Sequence, residues 1–195
     1  ASHYRRYLKN GGSLDFEHYL DLDSNQPRIW GAQQVRFMAM IEAIEQRFNS
    51  RPLVLFHEDL QTDPFALIDQ LCAFTGAHYQ RDQVNLSIVH SSWSDKQLKL
   101  ARLAGKRLFD PVPRATTNPT LHRVRRRLHL WACYGILGIA QMVPAKWVNP
   151  DPLINPESLS RVREVFANDW LSCHDYAQAY NPPVSGIRSE TGQTP

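Results

Sequence analysis

Arg51 to Gly76 reads RPLVLFHEDLQTDPFALIDQLCAFTG, and the reading of this stretch decides the fold. The unbroken apolar run Leu53-Val54-Leu55-Phe56 stands ahead of a polar turn. At that length it predicts a strand buried on both faces of a parallel sheet, with residues 53–57 as an interior rung. His57-Glu58-Asp59 would then sit at the carboxyl end of the strand, where open α/β sheets place their ligands. Asp63 caps a new helix, and Pro64 takes its first position, where a missing N–H costs nothing. Ile68, Leu71, Cys72 and Phe74 share one side of that helix, and Gly76 supplies the stop. A strand, a turn and a helix in this order predict an α/β domain.

Working outward, the apolar strand, the His before Glu-Asp-Leu, the Asp-Pro start and the Phe-x-Gly ending together resemble the central segment of the sulfotransferases. Those enzymes use 3′-phosphoadenosine 5′-phosphosulfate. Two further stretches are similar to the same family. S-H-Y-R-R-Y-L-K-N-G-G, from Ser2 to Gly12, resembles its second nucleotide-binding motif. The proline-led P-E-S-L-S-R-V-R-E-V-F-A-N-D, from Pro156 to Asp169, resembles the closing helix of bacterial and Golgi-type members. The resemblance implies a partial P-loop-like sulfotransferase fold, mostly helical with a short parallel sheet remnant. It makes residues 1–180 the C-terminal part of a single domain. The Pro-, Ser-, Gly- and Thr-rich 181–195 reads as a disordered tail.

The resemblance also implies roles. Ser2 would place its hydroxyl on the 3′-phosphate of the donor, with a partner Arg lying before Ala1. A Ser at a helix start also serves simply as an N-cap, so both readings of Ser2 stand. His57 occupies the position where cytosolic members carry a Tyr against the adenine, and an imidazole can stack on or hydrogen-bond a purine. Gly105-Lys106-Arg107 corresponds to a basic loop closing over the 3′-phosphate, although a solvated basic turn explains Lys106 and Arg107 equally simply. Asn85-x-Ser87 and Ser91-Ser92-Trp93 fall where the family has a loop near the nucleotide. Trp93 reads either as an adenine platform or as a core staple. The stretch Leu14 to Leu22 would border the acceptor pocket. No metal is expected.

The periodicity adds its own expectations. Trp30, Phe37, Ile41, Ile44 and Phe48 recur at helical spacing and predict one long helix over Arg28 to Phe48. Gln34 falls on that stripe, either as a satisfied buried amide or as a substrate-binding residue lining the acceptor cleft. Glu58 and Asp59, adjacent on a strand end, would point opposite ways and so cannot flank one scissile bond. They read as structural.

Composition narrows the classes. The 195 residues suffice for one domain, three scattered cysteines exclude a disulfide framework, and no apolar run reaches the length of a membrane span. Of 22 cations, 17 are Arg, whose planar forks suit phosphate and sulfate groups. The basic residues are not interleaved with aromatics on one sheet, which argues against nucleic acid as a partner.

The expected protein is therefore a cytoplasmic sulfotransferase, moving a sulfuryl group from the donor nucleotide to a hydroxyl- or amine-bearing acceptor, a carbohydrate or lipid-linked one. Its phosphosulfate loop and catalytic base would lie before Ala1, so the chain alone is expected to be inactive. The competing reading is a non-catalytic helical module binding membrane lipid or a polyanion through the basic segment 123–127. Peripheral membrane contact would then run through 123–147, where Arg123 to Arg127 leads into an aromatic-rich apolar helix, although a core helix with a solvated arginine flank is the simpler reading of the same segment.

Overall fold

The computed structural model describes residues 1–87, 93–108 and 118–183. Among these residues eight α-helices run in order: α1 (Ser2–Lys9), α2 (Phe16–Tyr19), α3 (Phe37–Phe48), α4 (His57–Thr62), α5 (Pro64–Thr75), α6 (Asp95–Leu108), α7 (Pro119–Met142) and α8 (Pro156–Tyr180). The sheet consists of two short parallel strands, β1 (Leu20–Asp21) and β2 (Trp30–Gly31), with Leu20 opposite Trp30 and Asp21 opposite Gly31. The chain is thus mostly helical with a small parallel sheet. It divides into two compact units, Ala1–Val35 with His90–Val165, and Arg36–Val89 with Phe166–Pro195.

In the first unit, α1 buries Tyr4 and Leu8, four residues apart on one face. The chain then turns sharply through Gly11, at φ 90°. Tyr7 completes this turn, its hydroxyl accepting the Ser13 and Leu14 N–H groups at 3.1 and 3.2 Å. A Cβ on Gly12 would stand 2.3 Å from the Tyr7 ring, so only glycine fits beside it. Tyr4 meets Phe16 edge-on at 5.3 Å, and Tyr7 and Tyr19 lie 4.9 Å apart. Such pairs add about 0.5–1.5 kcal/mol beyond simple burial.

Helix α6 starts with a reciprocal capping arrangement. Ser94 Oγ accepts the Gln97 N–H at 3.3 Å, while Gln97 Oε1 accepts the Ser94 N–H at 3.0 Å. The Gln97 amide nitrogen goes on to donate to the Leu137 carbonyl at 3.2 Å, tying α6 to α7. Helix α7 begins as its sequence dictates, with Asn118 accepting the Thr120 and Leu121 N–H groups and Pro119 at the first position. Tyr4, Leu8, Leu98 and Leu137 are the fully buried side chains of this core.

The second unit departs most from expectation. Phe56 is extended, at φ −100° and ψ 139°, but residues 53–56 join no ladder among the described residues, and His57 opens helix α4. The strand predicted over 53–57 therefore does not form, and the parallel pairing occurs at 20–21 and 30–31 instead. No strand lies beside this segment among the described residues. In its place the Asn181 carboxamide accepts the Val54 N–H at 3.2 Å and donates to the Val54 carbonyl at 2.6 Å. The apolarity of the run serves packing: Val54 and Phe56 lie against a core of Ile41, Cys173 and Tyr176, and Phe56 meets Trp170 edge-on at 4.8 Å. Asn181, expected in the loose tail, is thus bonded; residues 184–195 lie outside the described part.

The helix predicted over Arg28 to Phe48 is also broken. Trp30 belongs to β2, Ala32–Val35 forms a 3-10 turn, and the helix proper starts at Phe37. Asp169 supplies its cap from α8, accepting the Phe37 and Met38 N–H groups at 2.8 and 3.2 Å. Of the predicted stripe only Ile41 is buried; Phe37 and Phe48 are exposed. Helix α5, by contrast, follows its signals: Asp63 accepts the Ala66 N–H, Pro64 leads, and Gly76 closes at φ 70°. Its buried residue is Asp69, held by the Tyr79 hydroxyl at 2.5 Å and Arg81 at 2.8 Å, while Leu71 and Phe74 are exposed.

Tyr176 donates its hydroxyl proton to Glu45 at 2.7 Å. Burial, then that hydrogen bond and the carboxylate charge, push its phenol up to about 12. The unfolded phenol ionises near 10, so the neutral form is favoured by folding. This contribution is complete below pH 10 and is lost as pH rises from there through about 12. Alkaline unfolding followed by circular dichroism should show that loss in the native chain and a flatter profile in Tyr176→Phe. Identical profiles would remove Tyr176 as the cause.

Candidate functional site

Ser2 is exposed in the first turn of α1; Ala1 occupies the cap position, and no side chain caps the helix. The simple N-cap reading of Ser2 is therefore not what forms. Ser2 and His3 are exposed at the positive end of the helix, where an anion is favoured.

One turn further on, Arg5 forks. Its guanidinium donates to Asp95 Oδ1 and to the Trp93 carbonyl, both at 2.5 Å. Asp95 in turn accepts the Leu153 N–H at 3.4 Å. Burial pushes the Asp95 carboxyl up, but the Arg5 and Leu153 hydrogen bonds and the charges of Arg5 and Lys99 outweigh it and hold the group below the usual carboxylate range. The fork brings the first turn of α1 to the 93–95 turn, so two segments singled out in the sequence meet in space. Trp93 itself packs half-buried on the core, 6.2 Å from the Tyr134 ring, which is the staple role. Asn85 makes a local turn by accepting the Ser87 N–H, and Ser91 and Ser92 lie outside the described residues.

Lys106 and Arg107 do not join Ser2. Arg5 ties the start of α1 to the start of α6, while a Cβ on Gly105 would lie 2.7 Å from the Gly11 carbonyl at the other end. The two helices therefore run in the same direction. Roughly nine residues of helical rise, about 13 Å, separate the Ser2 end from the Lys106 end. Both cations are exposed in the last turn of α6, where positive charge favours the helix dipole. The expectation that Ser2, Lys106 and Arg107 grip one phosphate is corrected accordingly.

Gln34 is exposed, and its Oε1 accepts the Gly31 N–H at 2.9 Å. It stiffens the turn after β2 and is not part of the cleft between residues 16–23 and 155–162. His57 is exposed at the first position of α4 in the second unit, with its ring 3.4 Å from the Gln61 amide. As a helix-start residue it loses the strand-end position that motivated its assignment to adenine.

A cleft of about 290 Å³ opens instead between Phe16–Asp23 and Asn155–Val162. Glu17, Asp21, Asp23 and Glu157 line it with one cation, Arg161. Arg161 donates to Asp23 at 2.6 Å, and Ser158 donates to Glu17 at 2.8 Å. The 14–22 wall was singled out in the sequence. The 155–162 wall was not, because a helix start whose contacts reach back 138 and 141 residues carries no local sign of which segment it will face. With acceptors in excess, the cleft suits hydroxyl or amine donors. Among the described residues no group of three or more His, Cys, Asp or Glu side chains could hold a metal ion.

No family model matches the chain, and no curated protein or solved structure matches it either.

Proposed function

We propose that the chain is part of a sulfotransferase using 3′-phosphoadenosine 5′-phosphosulfate, with a partial P-loop-like fold. The observation that carries this reading is the Arg5 fork, which joins the open first turn of α1 to the 93–95 turn. The Ser2 hydroxyl would bind the 3′-phosphate, and Arg5, held by Asp95, would keep the helix end aimed at it. Lys106, Arg107 and His57 have no part in this version of the site. The donor supplies the sulfuryl group; the cleft at 16–23 and 155–162 would position the hydroxyl or amine that receives it. No G-x-x-x-x-G-K loop occurs in the sequence, so the reading requires phosphosulfate-loop residues from outside these 195.

The test is a thermal-shift titration with 3′-phosphoadenosine 5′-phosphate of the intact protein, with the phosphosulfate-loop residues that the reading requires. Saturating nucleotide, at about 100 times its Kd, should stabilise it by about 2.7 kcal/mol. Ser2→Ala should weaken binding about tenfold, as expected for a lost hydrogen bond to a charged group. A flat titration, or an unchanged Kd in Ser2→Ala, would rule the assignment out.

A further inference from the structure

Helix α7 has two apolar faces. Cys133, Leu137 and Ala140 are buried on one, in the packing with α6. The opposite face carries Leu121, Val124, Leu128, Trp131, Ile139 and Met142, spaced by three, four and eight residues, and every one of them is exposed. Trp131 and Met142 are 80% and 85% exposed. Gly135 and Gly138 continue the same stripe, and a Cβ on either would meet nothing within 4 Å. From Leu121 to Met142 the stripe extends about 32 Å along the helix. Covering it with water is unfavourable in proportion to its apolar area.

The charges around the stripe decide what covers it. At 3.6 residues per turn, Arg123 and Arg127 border one edge and Arg125 borders the other. No Asp or Glu occurs anywhere from residue 111 to residue 150. Just past the helix, Lys146 and the exposed Trp147 repeat the pairing of cation and aromatic. An acidic polymer would satisfy the arginines and leave the stripe wet. A second copy would cover the stripe but bring no carboxylate to the arginines. A surface with an apolar interior and an anionic skin satisfies both.

We propose that α7 lies in the interface of an anionic lipid bilayer, with the Leu121–Met142 stripe among the acyl chains and Arg123, Arg125 and Arg127 at the lipid phosphates. Long cationic side chains reach the headgroups from such a position while their stems stay in the apolar layer. No helix among the described residues is long and apolar enough to cross a membrane, so the contact is lateral. The inference stands on α7 alone and does not depend on the sulfotransferase reading.

Co-sedimentation of the chain with phosphatidylserine vesicles tests it, with phosphatidylcholine vesicles as the neutral arm. The chain should pellet with the first and stay largely free with the second. Each arginine-to-glutamine change at 123, 125 or 127 should weaken partitioning about fivefold, since one cation at such a surface contributes about 1 kcal/mol. Trp131→Glu should abolish binding, and Met142→Glu, at the other end of the stripe, provides the same test should the first variant fold poorly by circular dichroism. Three results would overturn the proposal. These are no pelleting with phosphatidylserine, undiminished pelleting of both glutamate variants, and a dimer in solution that both glutamate variants convert to monomer without any vesicle binding.

Discussion

Leu137→Ala is expected to destabilise the first unit by about 3 kcal/mol, within the range found when a buried leucine leaves a cavity. Leu137 is wholly buried in the core with Tyr4, Leu8 and Leu98. Its backbone carbonyl already accepts the buried Gln97 amide, so the local backbone is held and cannot collapse freely into the space left behind. Leu128→Ala makes the same chemical change nine residues earlier on the same helix, at an exposed position. That variant should stay within about 0.5 kcal/mol of the parent. Urea denaturation read by circular dichroism gives both values. Similar losses at the two positions would mean that α7 does not present one face inward and the other outward.

Gly105→Val should cost about 2–4 kcal/mol, for a different reason. Its Cβ would stand 2.7 Å from the Gly11 carbonyl oxygen and 3.2 Å from that of Gly12. Both are backbone atoms of a turn that Tyr7 also holds, so relief requires moving α1 or α6 bodily. The informative control is Gly105→Ala. Helix propensity alone would reward it by about 1 kcal/mol, whereas the close approach predicts a net loss of about 1–2 kcal/mol. A stabilised Gly105→Ala in the same denaturation series would show that α1 and α6 do not approach as described.

What could be read from the sequence was what its neighbours in sequence decide. Asp63, Pro64 and Gly76 bound α5, Gly11-Gly12 ends α1, and Asn155-Pro156 opens α8, because caps, prolines and left-handed turns act within four residues. What failed depended on distant partners. The 53–56 run has the composition of an interior strand, but a strand also needs a neighbour, and a carboxamide 127 residues away takes that place. Helix α3 starts at Phe37 because Asp169 caps it there, and no local signal announces a cap supplied from 132 residues downstream.

The same distinction governs the site. Trp93 was legible as aromatic punctuation before a helix, whereas Ser2 sits inside the first turn, with Ala1 at the cap position. Whether Lys106 could reach the phosphate of Ser2 depended on the relative direction of α1 and α6, which the Arg5–Asp95 pair and the Gly11–Gly105 contact set. Neither pairing has a local signature. The apolar spacing of α7 reveals its faces but not what lies against each: Cys133, Leu137 and Ala140 are buried, while Leu128 and Trp131 are exposed.

Asn181 answers both polar groups of Val54 with a single side chain, standing in for a whole neighbouring strand. Leu53–Phe56 is short, uncharged and rich in β-forming residues, the composition from which intermolecular cross-β stacks grow when its backbone is left unanswered. That one carboxamide keeps both backbone groups of Val54 occupied, although it comes from the last described turn of the chain.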